Sequence, residues 1–226
     1  LQAIQDAIAE ESGTLAELLQ PGYRRALILA VTLAILQQWT GINTVLFYGS
    51  VILKEQVGGH SESAAIGANV LIGAVNFVCT IIALWLIDKL GRRPLLIFSA
   101  AGMVVGHAGL ALAFLRTPPP AILIVCLMIL CTASFAVGLG PGVWVVLSEI
   151  FPTRIRGRAM SIATVALWIA CVVLTFTFLS IASALGPTGA FTIYAGMCLL
   201  TIWVVARFTP ETKGHTLEEI EHLWRK

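Results

Sequence analysis

The chain has 226 residues, 58% of them hydrophobic and only 12% charged, with a net charge of +2. A soluble domain carries about 25% charged residues, so this composition describes a polytopic protein of the lipid bilayer. The near-neutral balance gives no ground for a nucleic-acid partner.

Residues 1–22 differ in character from the rest of the chain. Leu1, Ile4 and Ile8 share one apolar helical face, with Gln5, Asp6 and Glu10 off it. Thr14-Leu15-Ala16-Glu17 fits a capping box for a second short helix. We expect a cytoplasmic amphipathic segment over 1–22, ended by Pro21-Gly22, with Arg24 and Arg25 at the membrane entry. Because the chain begins at Leu1 and shows no leader, we also expect it to be a piece of a longer polypeptide.

Six apolar spans occupy 23–209, near 26–52, 64–87, 95–115, 121–148, 158–183 and 189–208. Each is long enough to cross the hydrocarbon core, which takes roughly 20 residues. Lys and Arg alternate in density between the connecting segments. Only Lys54 and Arg116 fall on one side, and all the others fall on the opposite side. The positive-inside rule makes the basic side cytoplasmic, with both termini inside.

The first span contains Gln37, Gln38 and Asn43, with Tyr48 one turn further on. Three amides supply donors and acceptors but no charge, which suits a neutral, hydroxyl-rich ligand. The competing role is interhelical glue; three amides together with a tyrosine favour a ligand site. On a straight helix Gln37, Gly41, Thr44 and Tyr48 share a face, Gln38 lies a quarter turn away and Asn43 nearly opposite. A break between Thr40 and Thr44, at Gly41, would let the amides converge.

The second span carries Asn69, Gly73, Asn76 and Thr80 in one stripe. Close packing suits Gly73, whereas Asn76 at mid-span needs a polar partner and is a candidate site residue. Asp88-Lys89-Leu90-Gly91-Arg92-Arg93-Pro94 closes this span, either as a topology signal or as a latch toward Glu149, near Arg154 and Arg156. His107, in the third span, reads as a packed histidine, because no span centre holds an acid to relay a proton with. In the fourth span Gly138-Leu139-Gly140-Pro141-Gly142 cannot form a rigid helix, and Gly140 and Pro141 are candidate hinge residues. Trp144 comes one turn later. The fifth span places Ser161, Thr164, Trp168, Cys171 and Thr175 on one face, and a mid-span indole offers a surface on which sugar rings stack. The cysteines, Cys79, Cys126, Cys131, Cys171 and Cys198, all lie in apolar runs without a C-x-x-C and read as buried thiols. Residues 210–226 read as a cytoplasmic C-terminal helix, with Thr216-Leu217-Glu218-Glu219 as its capping box. No catalytic constellation, phosphate loop, cofactor motif or metal-ligand cluster is visible, so no enzyme activity, cofactor or metal is expected.

In this order the motifs resemble the C-terminal half of a major facilitator superfamily sugar porter, the family of facilitative glucose transporters and proton–sugar symporters. The matching pieces are Gln37-Gln38-x-x-Gly41-Ile42-Asn43-x-x-x-x-Tyr48, Asn76, Asp88-Lys89-x-Gly91-Arg92-Arg93, Gly138-x-Gly140-Pro141-x-x-Trp144, Glu149-Ile150-Phe151-Pro152-x-Arg154-x-Arg156-Gly157, Trp168 and Pro210-Glu211-Thr212-Lys213-Gly214. The resemblance implies an all-α membrane protein, a six-transmembrane-helix bundle forming helices seven to twelve of a twelve-helix fold. It implies a small neutral sugar on Gln37, Gln38, Asn43, Asn76 and Trp168, with Trp144 close by. Phe47 and Tyr48 would form an outer gate, and Asp88, Arg92, Arg93, Glu149 and Arg154 an inner salt-bridge latch. The implied activity is monosaccharide transport by alternating access across a plasma (inner) membrane, in partnership with the N-terminal half of the same carrier. A polyol or inositol carrier and a non-transporting sugar sensor are the alternatives. A co-transported proton stays open, since the coupling acid of proton-coupled relatives lies in the other half. Departures from the family pattern are Ala136, Leu167, Val143 and Leu84. They replace a frequent glutamate, amide, proline and glycine, which bears on which sugar is preferred.

Overall fold

The computed structural model describes residues 15–56, 62–214 and 219–220. The apolar face of Leu1, Ile4 and Ile8, and most of the helix expected after Pro210, lie outside the described residues. The helices are α1 (Leu15–Leu18), α2 (Pro21–Trp39), α3 (Ile42–Gln56), α4 (Glu62–Leu90), α5 (Arg92–Ala113), α6 (Ala121–Val137), α7 (Leu139–Glu149) and α8 (Thr153–Phe208). Among the described residues there is no strand.

Proline and glycine punctuate these helices where their chemistry directs. Pro21 opens α2, where a missing N–H costs nothing, and Pro120 and Pro152 immediately precede α6 and α8. Gly91, at φ 90°, turns the chain between α4 and α5. α8 has 56 residues, about 84 Å at 1.5 Å per residue, far more than one crossing needs. It is broken at Gly186 (φ 69°, ψ 171°), with Pro187 next, and therefore makes two passes. α2 with α3 makes one pass, α4 and α5 one each, and α6 with α7 one. The six expected spans are thus all present, and the protein is an integral membrane protein.

The passes are unequally buried. In the α2–α3 pass 61% of the most apolar window is enclosed, against 17% in α4, so α2–α3 is the central element and α4 a peripheral one. Two apolar clusters fill the bundle. One gathers Leu33, Leu96, Leu139, Phe151 and Ile155; the other gathers Ile52, Ile72, Leu110, Phe178 and Phe191. Ile42 belongs to the first cluster and Val45 to the second, so the α2–α3 junction lies where the two cores meet. Buried polar side chains at that junction are Gln37, Gln38, Thr40 and Thr44. The cysteines divide in the same way as the passes: Cys131, Cys171 and Cys198 are buried as expected, whereas Cys79 is half-buried on peripheral α4 and Cys126 is exposed on the outer face of α6.

Candidate functional site

The central pass breaks at Gly41. α2 ends at Trp39, Thr40 caps it, and Gly41 takes φ 83°, a left-handed conformation that favours glycine. The Gly41 N–H turns to Gln38 O at 3.2 Å, and the Thr40 hydroxyl donates to the released Gln37 carbonyl at 2.7 Å. Gly41 O in turn accepts from Thr44 N at 3.1 Å, so α3 starts at once. The ring of Tyr194 lies against Gly41. A Cβ there would sit 2.5 Å from Tyr194 Cγ. The Tyr194 hydroxyl and Thr44 Oγ1 are 2.9 Å apart.

This break brings together amides that a straight helix would separate. Asn43 Nδ2 donates to Gln38 Oε1, and also to Cys171 Sγ at 3.2 Å. Asn43 has thereby committed its donors, while its Oδ1 and the Gln38 amide N–H groups make no hydrogen bond among the described residues. Gln37 points elsewhere. Its Nε2 donates to Leu139 O at 2.8 Å and to Gly140 O at 2.9 Å, and its Oε1 is buried without a partner. The unspent groups are thus two acceptor oxygens, on Gln37 and Asn43, and the two N–H donors of the Gln38 amide. A hydroxyl-rich ligand, donor and acceptor at each oxygen, can satisfy such a set.

The carbonyls that Gln37 holds belong to the second break. α6 ends at Val137 and α7 starts at Leu139, with Gly138 between them at φ −136°, ψ −70°. The expected hinge residues Gly140 and Pro141 therefore lie in the first turn of α7, just past the interruption. The missing N–H of Pro141 explains the shift, because it leaves Val137 O without its usual i+4 donor and ends α6 there. Ser99 from α5 serves this break from the other side: its Oγ donates to Ser134 O at 2.7 Å and accepts from Leu139 N at 2.9 Å. Sequence reasoning misses Ser99, a small polar residue in an apolar span with no pattern around it.

The remaining candidates are spread around the amides. The Tyr48 hydroxyl donates to Thr175 O at 3.1 Å and its ring packs on Phe178, while Phe47 is exposed. Trp144 packs half-buried against the core that holds Leu139. Trp168 is 60% exposed and lines a shallow cleft with Thr164 and Val172. Asn76 is half-buried on α4, and no hydrogen bond joins it to the amide cluster among the described residues. His107 is fully buried, its Nδ1 3.7 Å from Cys131 Sγ and its ring stacked on Phe191. A cleft of about 630 Å³ lies between Trp39 and the two arms of α8, lined by Leu174, Tyr194 and Met197, and no amide of the trio reaches it.

The charged residues meet at one end of the bundle. Arg92 grips Glu149 with Nη2 at 2.8 Å and Nε at 3.1 Å, and reaches Asp88 at 3.2 Å. Thr212 Oγ1 donates to the other side of the Glu149 carboxylate. With both carboxylate oxygens of Glu149 engaged, Arg154 pairs instead with Glu17, at 3.5 Å. The Arg93 guanidinium donates to Ala206 O. Sequence reasoning assigns no role to Glu211, although it lies in the Pro210–Gly214 motif. Its carboxylate accepts from Arg92 N at 3.0 Å and Arg93 N at 3.1 Å, the free N–H groups of the first turn of α5, and from Lys213 N at 3.0 Å. Burial alone would raise its pKa, but the backbone N–H groups of Lys213, Arg92, Arg93 and Thr212 outweigh that and hold it below the ordinary carboxylate range. Gly91 leaves room for this contact, since a Cβ there would lie 2.9 Å from Glu211 Oε2.

The sequence model of the family described as Sugar (and other) transporter matches residues 1–224. The D-xylose-proton symporter of Escherichia coli (strain K12) is 38% identical over 204 residues, 88% of this chain and 41% of that protein. The arabinose-proton symporter of Bacillus subtilis (strain 168) is 35% identical over 217 residues, 96% of this chain and 46% of that protein. The major myo-inositol transporter IolT of the same organism is 33% identical, covering 100% of this chain and 49% of that protein. Among solved structures, the proton:xylose symporter XylE bound to 6-bromo-6-deoxy-D-glucose superposes with a TM-score of 0.82 at 37% identity, over 99% of this chain and 48% of that one. The chain thus spans about half the length of the relatives it matches.

Proposed function

We propose, from the premise that this chain belongs to the sugar (and other) transporter family, that it supplies the C-terminal half of a monosaccharide carrier. Its six passes form one half of the twelve-helix major facilitator fold. The carrier works by alternating access: sugar binds at mid-membrane against the breaks in the α2–α3 and α6–α7 passes, and the two ends open in turn. The single observation behind this reading is the unspent hydrogen-bonding capacity at the Gly41 break. Gln37 Oε1 is buried without a partner, and Asn43 Oδ1 and the Gln38 amide N–H groups make no hydrogen bond among the described residues. At membrane depth such groups are costly unless something bonds them. Asn76, Trp144 and Trp168 complete the proposed sugar site, Phe47 and Tyr48 its outer gate, and the Arg92–Glu149 cluster its inner latch.

The substrate is a pentose or hexose, and uptake is coupled to protons. Support comes from relatives named as D-xylose- and arabinose-proton symporters, which exceed the myo-inositol transporter in identity. The orientation is basic side inward in a plasma (inner) membrane, with 1–22 and 210–226 as cytoplasmic segments flanking the bundle over 23–209. A single cysteine introduced at Thr153 in a cysteine-free carrier should be labelled only after permeabilisation; labelling in intact cells would reverse the orientation. The function is tested with the full-length carrier in liposomes, offered D-xylose, arabinose, D-glucose and myo-inositol. Saturable uptake of a sugar, abolished when the pH gradient is dissipated, is expected. Saturable uptake of myo-inositol alone would establish the polyol reading instead, and binding without uptake would establish a sensor.

A further inference from the structure

The amide of Gln37 has its two ends in different circumstances. Its nitrogen is fully occupied, donating to Leu139 O at 2.8 Å and Gly140 O at 2.9 Å. Its oxygen is buried and unpartnered, on a residue only 2% exposed. The two carbonyls it holds belong to the first turn of α7, directly beyond the Gly138 break. Its neighbour in sequence is Gln38, which bonds Asn43 across the Gly41 break. One side chain therefore stands at one interrupted pass, holds the other, and leaves a single acceptor free.

We propose that Gln37, in contacting the sugar, couples sugar occupancy to the α6–α7 break. A sugar hydroxyl donates to Gln37 Oε1 while the same amide holds Leu139 and Gly140. This rests on the sugar-binding reading and adds to it a route from the ligand to a second helix. The physical basis is cooperativity. A hydrogen bond accepted at an amide oxygen polarises the group and strengthens the bonds that its N–H groups donate. Sugar thus binds more tightly when α7 is docked on Gln37 than when α7 has swung away and the amide is no longer held in place. Such a difference in affinity between two states lets a ligand shift a conformational equilibrium. Ser99 provides the contrast. It holds Leu139 N and Ser134 O from α5 with its one donor spent and its oxygen already partnered, so its clamp is insensitive to occupancy.

The test is hydrogen exchange in the full-length carrier, read on peptides covering 139–149, with and without saturating D-xylose. Several-fold slower exchange of the first amides of α7 in the presence of D-xylose is expected. Gln37→Leu should retain D-xylose binding through Gln38 and Asn43, weakened a few-fold, but lose the sugar-dependent protection. Its maximal transport rate should fall at least tenfold, more than its affinity does. Ser99→Ala should speed exchange with and without sugar and keep the difference between the two. If D-xylose binds the wild-type carrier, as calorimetry would read, yet exchange over 139–149 does not respond, the inference fails and the sugar site stands. Retained sugar-dependent protection in Gln37→Leu would also overturn it. Failure of D-xylose, arabinose and D-glucose all to bind would remove the sugar-binding reading and this inference with it.

Discussion

The two interrupted passes are built on different principles. At Gly41 the backbone itself makes the break: φ is 83°, the Thr40 hydroxyl caps the carbonyl that loses its partner, and α3 restarts on Gly41 O. At Gly138 φ is −136°, outside the left-handed region, and the loosened groups are served from outside by Ser99 of α5 and Gln37 of α2. A break made locally is fixed whatever its neighbours do. One held by side chains on other helices changes when those contacts change. The first is suited to presenting ligand groups in constant geometry, the second to moving.

The sharpest way to break this comparison is substitution at the glycines. Gly41→Ala combines an unfavourable φ with a Cβ 2.5 Å from the Tyr194 ring, and should cost about 2–4 kcal/mol. Tyr194→Ala in the same background should recover only the steric part in thermal melts. Gly138→Ala does not meet a left-handed φ. Its Cβ would meet Ser99 Cβ at 2.5 Å and Leu95 O at 2.6 Å, a steric penalty of about 1–3 kcal/mol. Pairing it with Ser99→Gly should relieve part of that loss. If the two glycines behave alike in melts with their neighbours trimmed, the distinction between the breaks is wrong.

Much of the first break is legible in the sequence, and less of the second. Gly41 sits between two amide-bearing turns, and a straight helix places Asn43 opposite Gln37, so an interruption between Thr40 and Thr44 follows from periodicity. It lies at Gly41. In the fourth span three glycines and Pro141 mark a weak segment, but its position depends on which carbonyl the proline leaves without a donor, and that places it at Gly138. Periodicity sets Gln38 a quarter turn from Gln37, and the family resemblance implies that both amides face the ligand. The structure divides them, because Gln37 meets carbonyls a hundred residues away, and no local pattern encodes that contact. The inner end shows the same limit. Arg92, Asp88 and Glu149 are readable as charges at one membrane edge. The pairing of Arg154 with Glu17, and the seat of Glu211 on the first turn of α5, depend on how the passes are arranged around each other.

Smaller effects sharpen the contrast further. Ser99→Ala strands the buried Leu139 N–H and should cost about 1–2 kcal/mol of stability, with sugar affinity unchanged, as melts and binding isotherms would separate. Glu211 tests a contact outside the membrane. Its carboxyl is held below its ordinary range in the folded chain, so its contribution is present above the unfolded carboxylate pKa and is lost as pH falls through the depressed folded value. Glu211→Gln should lower stability at neutral pH and flatten the acid limb of a stability–pH profile. An acid limb identical to that of the wild type would show that the seat on α5 carries little.

The central claim is that the amides gathered at the Gly41 break bind sugar rather than only fastening helices. It is tested most directly by measuring D-xylose affinity and melting temperature together for Gln38→Ala in the full-length carrier. The account predicts affinity weakened about five- to tenfold, the equivalent of a hydrogen bond worth about 1 kcal/mol or somewhat more, with the melting temperature held. Unchanged affinity with a lowered melting temperature would contradict it and make the amide cluster structural.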